Sequence, residues 1–203
     1  MPRQNRDDRE EEIEAIAYRL LEARGYSGVG MQDIAQAARA SNETLYRWYG
    51  DKAGLFRALI ARNADQLGTA LTQAAERGER GIAVLHAVGP VLLTMLLSER
   101  AVALNRAAAA DPSGDLGCAL ADAGRNACTP KLVQVITDAQ AGGELATRRD
   151  GREVTPHELT ELWLTLLIGD LQVRRVTGAL APPTKDEIGQ RSQRALEYLA
   201  RLY

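Results

Sequence analysis

The sequence predicts an all-α protein, and three observations carry that expectation. Apolar residues recur at spacings of three and four along most of the chain, as one face of a helix requires. No segment shows the strict alternation of a half-buried strand. Alanine, leucine, arginine and glutamate dominate while aromatic residues make up only 4%, a balance that favours helix over sheet. The 203 residues, 45% hydrophobic and 26% charged, suffice for a small module beside a larger one.

The first helix takes Asp7 or Asp8 as its cap, Glu10, Glu11 and Glu12 at the positive end of its dipole, and Gly25 as its stop. Ile13, Ile16, Ala17, Leu20 and Leu21 form its apolar stripe. Arg3 and Arg6 precede it, either as an arm toward a partner or as a disordered tail. A short helix over residues 31–38 places Met31, Ile34, Ala35 and Ala38 on one side. Arg39-Ala40-Ser41 then turn the chain into another short helix, residues 42–49, which Gly50-Asp51 breaks. Asp51 caps a long helix over residues 52–75 that buries Leu55, Phe56, Leu59, Ile60, Leu67 and Leu71. Residues 79–98 read as an apolar helix kinked at Pro90. Helices over 100–110, 115–127 and 130–141 follow, and residues 147–151, TRRDG, read as a polar loop. Thr155-Pro156 open a helix to residue 177, as an N-cap and first-turn proline do, and Pro182-Pro183 set off a last helix over 184–203.

One stretch stands apart. Residues 41–56, SNETLYRWYGDKAGLF, gather Tyr46, Trp48, Tyr49 and Phe56, with Asn42, Glu43, Thr44, Arg47 and Lys52 threaded between them. Residues 8–56 hold three short helices, and the three-residue turn between the second and third makes a helix-turn-helix. In such a unit the helix after the turn enters the major groove, its first residues nearest the base edges. Leu45, Trp48 and Tyr49 pack inward against Ile34, Ala35 and the first stripe, which leaves Asn42, Glu43, Thr44, Tyr46 and Arg47 facing out or sideways.

Residues 9–60 resemble the DNA-binding domain of the TetR family of bacterial transcriptional regulators. The resemblance rests on Gly25-Tyr26, MQDIA (31–35), Ala38, Ser41, TLYRWYGDK (44–52) and Leu55-Phe56. It implies that residues 1–60 form a helix-turn-helix DNA-binding domain and residues 61–203 a regulatory and dimerisation domain. It further implies that Asn42, Glu43, Thr44, Tyr46 and Arg47 face the operator, that Ser41 belongs to the DNA-binding set with them, and that Lys52 grips a phosphate. The chemistry suits these roles. Lys52 sits in the first turn of a helix, where unpaired backbone N–H groups favour an anion. Tyr46 has a hydroxyl at phosphate reach, Arg47 pairs with guanine or with phosphate, and Asn42 reads adenine. Glu43 either repels phosphate or accepts from cytosine. The chain departs from the family's habit at Val29-Gly30, where hydroxyl residues are usual, and at Arg39-Ala40, where the turn usually has glycine then valine. An Arg39 in the left-handed conformation costs on the order of 1 kcal/mol, and its side chain becomes a phosphate ligand.

For the larger half, residues 163–168, WLTLLI, are apolar on every side, so one face has core to meet and the other needs a partner. With the last helix they predict a homodimer through a four-helix bundle, its interface formed by Trp163, Leu164, Leu167, Leu171, Ala195, Leu199 and Leu202. The text of residues 169–183, GDLQVRRVTGALAPP, resembles AefR-like C-terminal domains of the same family. The resemblance implies a cavity for a small-molecule effector, for which His86, Met95, Asn105, Trp163 and Gln172 are the polar or soft candidates, and release of a repressor from a palindromic operator.

The formal charge is −2, and residues 1–60 carry nine Lys/Arg against ten Asp/Glu, so DNA binding must rest on local placement of charge. The alternative is a helical interaction protein without DNA-binding activity. An enzyme is not expected: the two histidines lie seventy-one positions apart, and no metal or nucleotide motif accompanies them. No cofactor or metal is implied. Cys118 and Cys128 read as buried thiols of a reducing compartment. The charged N-terminal text lacks an apolar segment, and the longest apolar run, residues 84–97, is too short for a bilayer. A cytoplasmic location without membrane partners is the expectation.

Overall fold

The computed structural model describes residues 3–203, with side chains from Arg6 onward. Helices α1 (Arg3–Arg24), α2 (Met31–Ala37), α3 (Asn42–Tyr49), α4 (Lys52–Glu76), α5 (Ile82–Leu97), α6 (Glu99–Ala109) and α7 (Asp115–Ala121) lead into a π-helical segment, Asp122–Asn126. Beyond it lie α8 (Ala127–Ala141), strands β1 (Arg148–Arg149) and β2 (Arg152–Glu153), then α9 (Pro156–Ile168), α10 (Leu171–Thr177) and α11 (Lys185–Leu202).

Four local expectations are corrected. α1 begins at Arg3, so Asp7 and Asp8 lie inside the helix and Arg6 is no loose arm. Ion pairs Arg6–Glu10 (2.8 Å, i,i+4) and Arg9–Glu12 (i,i+3) support this first stretch; the side chain of Arg3 lies outside the described residues. Residues 147–151 are not a plain loop. Arg148 pairs with Glu153 and Arg149 with Arg152 in an antiparallel hairpin, turned by Asp150 and Gly151 at φ 50° and 80°. Asp-Gly is the dipeptide a type I′ turn selects. The helix expected to run from 156 to 177 is two helices, because Gly169 takes φ 51° and ends α9. Finally, Cys118 is exposed on α7 and Cys128 half-buried on α8, rather than both buried.

Where the sequence suggested a single cut at residue 60, contacts divide the chain into two discontinuous units. One comprises Met1–Asn63 with Arg100–Ala121, the other Ala64–Glu99 with Asp122–Tyr203. In the first, Ile13, Ala17, Ile34, Leu45, Leu55, Phe56 and Leu59 form the core together with Val102, Leu104 and Leu116. In the second, α5, α8, α9 and α11 pack on one another around Leu85, Val88, Leu93, Ile136, Trp163, Leu167 and Leu199.

That packing revises the interface expectation. Trp163, Leu167, Ala195 and Leu199 are each at most 1% exposed within the core of their own chain and have no surface left for a partner. The apolar residues of α9 meet α8 and α11, which both pack on it, while His157, Glu158 and Thr165 are exposed. Leu164 and Leu171 remain half-buried, and Leu202 is 40% exposed.

Candidate nucleic-acid interface

The eight residues of α3 are too few for an independently stable helix, so both its ends and its inner face are fixed by the surroundings. Ser41 caps it: its Oγ accepts from the Thr44 N–H (3.1 Å) and shares a hydrogen bond with the Thr44 hydroxyl (2.9 Å). Leu45 is fully buried, while Trp48 and Tyr49 are half-buried. The Arg6 guanidinium lies 5.4 Å from the centre of the Trp48 ring, and Trp48 and Tyr49 meet edge to face. The Tyr49 hydroxyl is enclosed without a hydrogen-bond partner, and burial pushes its pKa well above the ordinary value. On the opposite side Asn42, Glu43, Tyr46 and Arg47 are exposed, Tyr46 by half. Thr44 is half-buried, its hydroxyl engaged with Ser41.

The turn before α3 has the geometry its residue types made doubtful. Arg39 has φ 50°, the left-handed conformation that glycine adopts without strain. The Ala40 N–H reaches the Ala35 carbonyl (2.9 Å) and the Arg39 N–H that of Gln36 (3.1 Å), the paired bonds of a Schellman motif. The Arg39 side chain is exposed. At the other departure, Gly30 caps α2 with no side chain of its own, and Asp33 compensates by accepting from the Gly30 N–H (2.8 Å).

Lys52 opens α4 as expected but is not free. Its Nζ donates to the Tyr26 carbonyl and lies 3.9 Å from the centre of the Tyr26 ring, which in turn meets Phe56 edge to face at 5.0 Å. Burial draws the Lys52 pKa down. An ammonium has three donors, so this contact aims Lys52 and leaves hydrogens for a further acceptor.

Two features behind α3 had no local signal in the sequence. Arg9 of α1 donates to the carbonyls of Ala38 (2.6 Å) and Arg39 (3.1 Å) in the turn. Glu14 of α1 is only 6% exposed and pairs with Arg62 of α4 (3.2 Å), which also reaches Glu10 (3.2 Å). Burial raises the Glu14 pKa to about 7, the Arg62 cation opposing the shift and the Glu10 anion adding to it.

The effector candidates lie in different settings. His86 is exposed on α5, whereas Met95 is buried. Gln172 is half-buried on α10. Asn105 belongs to α6 in the first compact unit, and its Nδ2 donates to the Ala101 carbonyl of its own helix (2.8 Å). Trp163 is buried and its indole N–H has no hydrogen-bond partner, an unusual state for a buried donor.

Comparison with known families decides what this arrangement is. Residues 13–59 match the family described as "Bacterial regulatory proteins, tetR family", and residues 83–203 match "AefR-like transcriptional repressor, C-terminal domain". The chain belongs to the TetR family. A TetR-family transcriptional regulator from Mesorhizobium loti, 22% identical, superposes over 100% of this chain and 99% of its own with a TM-score of 0.76. A TetR regulator from Agrobacterium tumefaciens, 26% identical, covers 96% of this chain and 94% of its own at 0.70. The transcriptional activator FasR of Mycolicibacterium smegmatis is 33% identical over 69 residues, 34% of this chain, which spans only 32% of that protein. This TetR-family chain is thus a transcriptional regulator with a helix-turn-helix domain, and its relatives are regulators rather than enzymes. Among the described residues no single helix is long and apolar enough to cross a membrane.

Proposed function

We propose that this TetR-family protein is a cytoplasmic repressor that binds a palindromic operator as a homodimer and leaves it when a small-molecule effector binds the larger unit. The observation that carries the reading is the two-faced α3: Leu45 is fully buried while Asn42, Glu43, Tyr46 and Arg47 stay exposed. Arg47 and Asn42 are assigned to base edges, and Tyr46, Lys52 and Arg39 to phosphates. Ser41 and Thr44 hold the head of the helix beside them, and Glu43 reads cytosine or excludes wrong sites. The repressor sense is supported by the description of the matching C-terminal family. An activator reading is favoured by the FasR match, and a reporter gene fused to the bound site separates the two.

A second copy has apolar side chains to cover, since Val173 of α10 is 64% exposed and Tyr198 and Leu202, one turn apart on α11, are 49% and 40% exposed. Leu164 and Leu171 extend the same assignment. Met95, Gln172 and the unpartnered indole of Trp163 are the groups assigned to the effector. Linkage then requires effector and operator to weaken each other by the same factor.

The test is selection of bound sequences from random DNA, repeated with candidate small molecules present. Arg47→Ala should relax the choice of base by about 1–3 kcal/mol, while Lys52→Ala should weaken every site alike and lower the salt slope by about one. A chain that enriches no sequence is instead a helical interaction protein.

A further inference from the structure

The turn that aims α3 is held from outside by a residue 29 positions away. The Schellman bonds satisfy the carbonyls of Ala35 and Gln36 but not those of Ala38, the C-cap of α2, and Arg39, which follows it. Arg9 supplies both missing bonds from one nitrogen, at 2.6 and 3.1 Å, while its other terminal nitrogen pairs with Glu12. A cation at a helix C-terminus is stabilising in its own right. It is placed where the chain most needs support, because Arg39 sits at φ 50° without being glycine. The cap of α3, Ser41, follows only two residues later, so a swing of this turn displaces Asn42 and Glu43 first.

We propose that Arg9 is a positioning residue for operator recognition: by donating to the Ala38 and Arg39 carbonyls it fixes the strained turn and hence the entry of α3 into the groove. The proposal rests on the operator-binding reading. It differs from the other role an arginine near this face would have, as a phosphate ligand, because three of its five N–H donors already go to backbone oxygens and to Glu12.

The experiment uses the full chain and the duplex that the wild type enriches from random DNA, with a scrambled duplex as reference, over a series of salt concentrations. Arg9→Gln should lower the preference for the enriched over the scrambled duplex about fivefold, with the slope of log affinity against log salt unchanged. Arg9→Lys, which keeps the charge but one nitrogen, should lose less. In an Arg39→Gly background, where the turn carries no strain, adding Arg9→Gln should cost less than twofold. Thermal melting of each variant identifies any loss that comes from unfolding, and if Arg9→Gln does not fold, the Arg9→Lys and Arg39→Gly pairs decide. A slope that falls by about one with preference intact makes Arg9 a phosphate ligand and overturns the proposal. Equal losses in both backgrounds, or no loss at all, overturn it too. A wild type that enriches nothing removes the operator reading itself, and the positioning role with it; an enriched site indifferent to Arg9 removes only the latter.

Discussion

The two compact units bury charge in opposite ways. In the unit that carries α3, Glu14 is enclosed at 6% exposure with Arg62 as its ion-pair partner. Burial lifts its pKa to about 7 against the pull of Arg62. In the larger unit Arg175 of α10 is 5% exposed but satisfied on all sides. It donates to the carbonyls of Leu97 (3.1 Å) and Leu180 (2.9 Å) and to the Glu99 carboxylate (2.7 Å). One unit is thus braced by a guanidinium with an acceptor at each of its three nitrogens, the other by a carboxyl that titrates. Burial alone says little about rigidity; what counts is how many partners the buried group finds.

Removing Arg175 is the harshest way to break this contrast. Arg175→Ala strands two carbonyls and should lower unfolding stability by about 3 kcal/mol, read as a shift in denaturant midpoint. A loss under 1 kcal/mol would mean that water replaces the guanidinium. Next comes acidity. Unfolded Glu14 titrates near the ordinary 4.5 and the folded carboxyl near 7, so between those values only the folded chain holds the proton. Stability should therefore fall as pH rises through this window, by on the order of 3 kcal/mol in total. Glu14→Gln should flatten that slope in urea titrations at pH 5 and pH 8, and an unaltered slope would assign the effect elsewhere. The smallest change concerns the enclosed Tyr49 hydroxyl, which has no partner. Tyr49→Phe should be neutral or stabilising by about 1 kcal/mol, measured by calorimetry.

Most of the first unit was legible because its signals are local. The three-residue turn at 39–41, the Tyr46–Tyr49 aromatics and Gly50 as stop all act within one or two turns, and α3 falls at residues 42–49 as the pattern requires. Arg9 and Arg175 were invisible for the converse reason: their acceptors lie 29 and 78 residues away, and no periodicity encodes such pairs. In α9 the apolar pattern correctly announced burial but not what does the burying. Trp163 and Leu167 were read as facing a second chain, although α8 and α11 already cover them. The start of α1 was missed because charged residues look like solvent-exposed coil until Arg6–Glu10 and Arg9–Glu12 are paired.

The cysteines offer a practical dividend. Cys118 lies in the first unit and Cys128 in the second, and they are the chain's two thiols. Burial raises the pKa of Cys128, so a maleimide dye should modify exposed Cys118 first and a second colour can follow on Cys128. The unaltered protein thereby accepts two different environment-sensitive labels, one in each unit, so that the response of either unit to an added small molecule can be read separately.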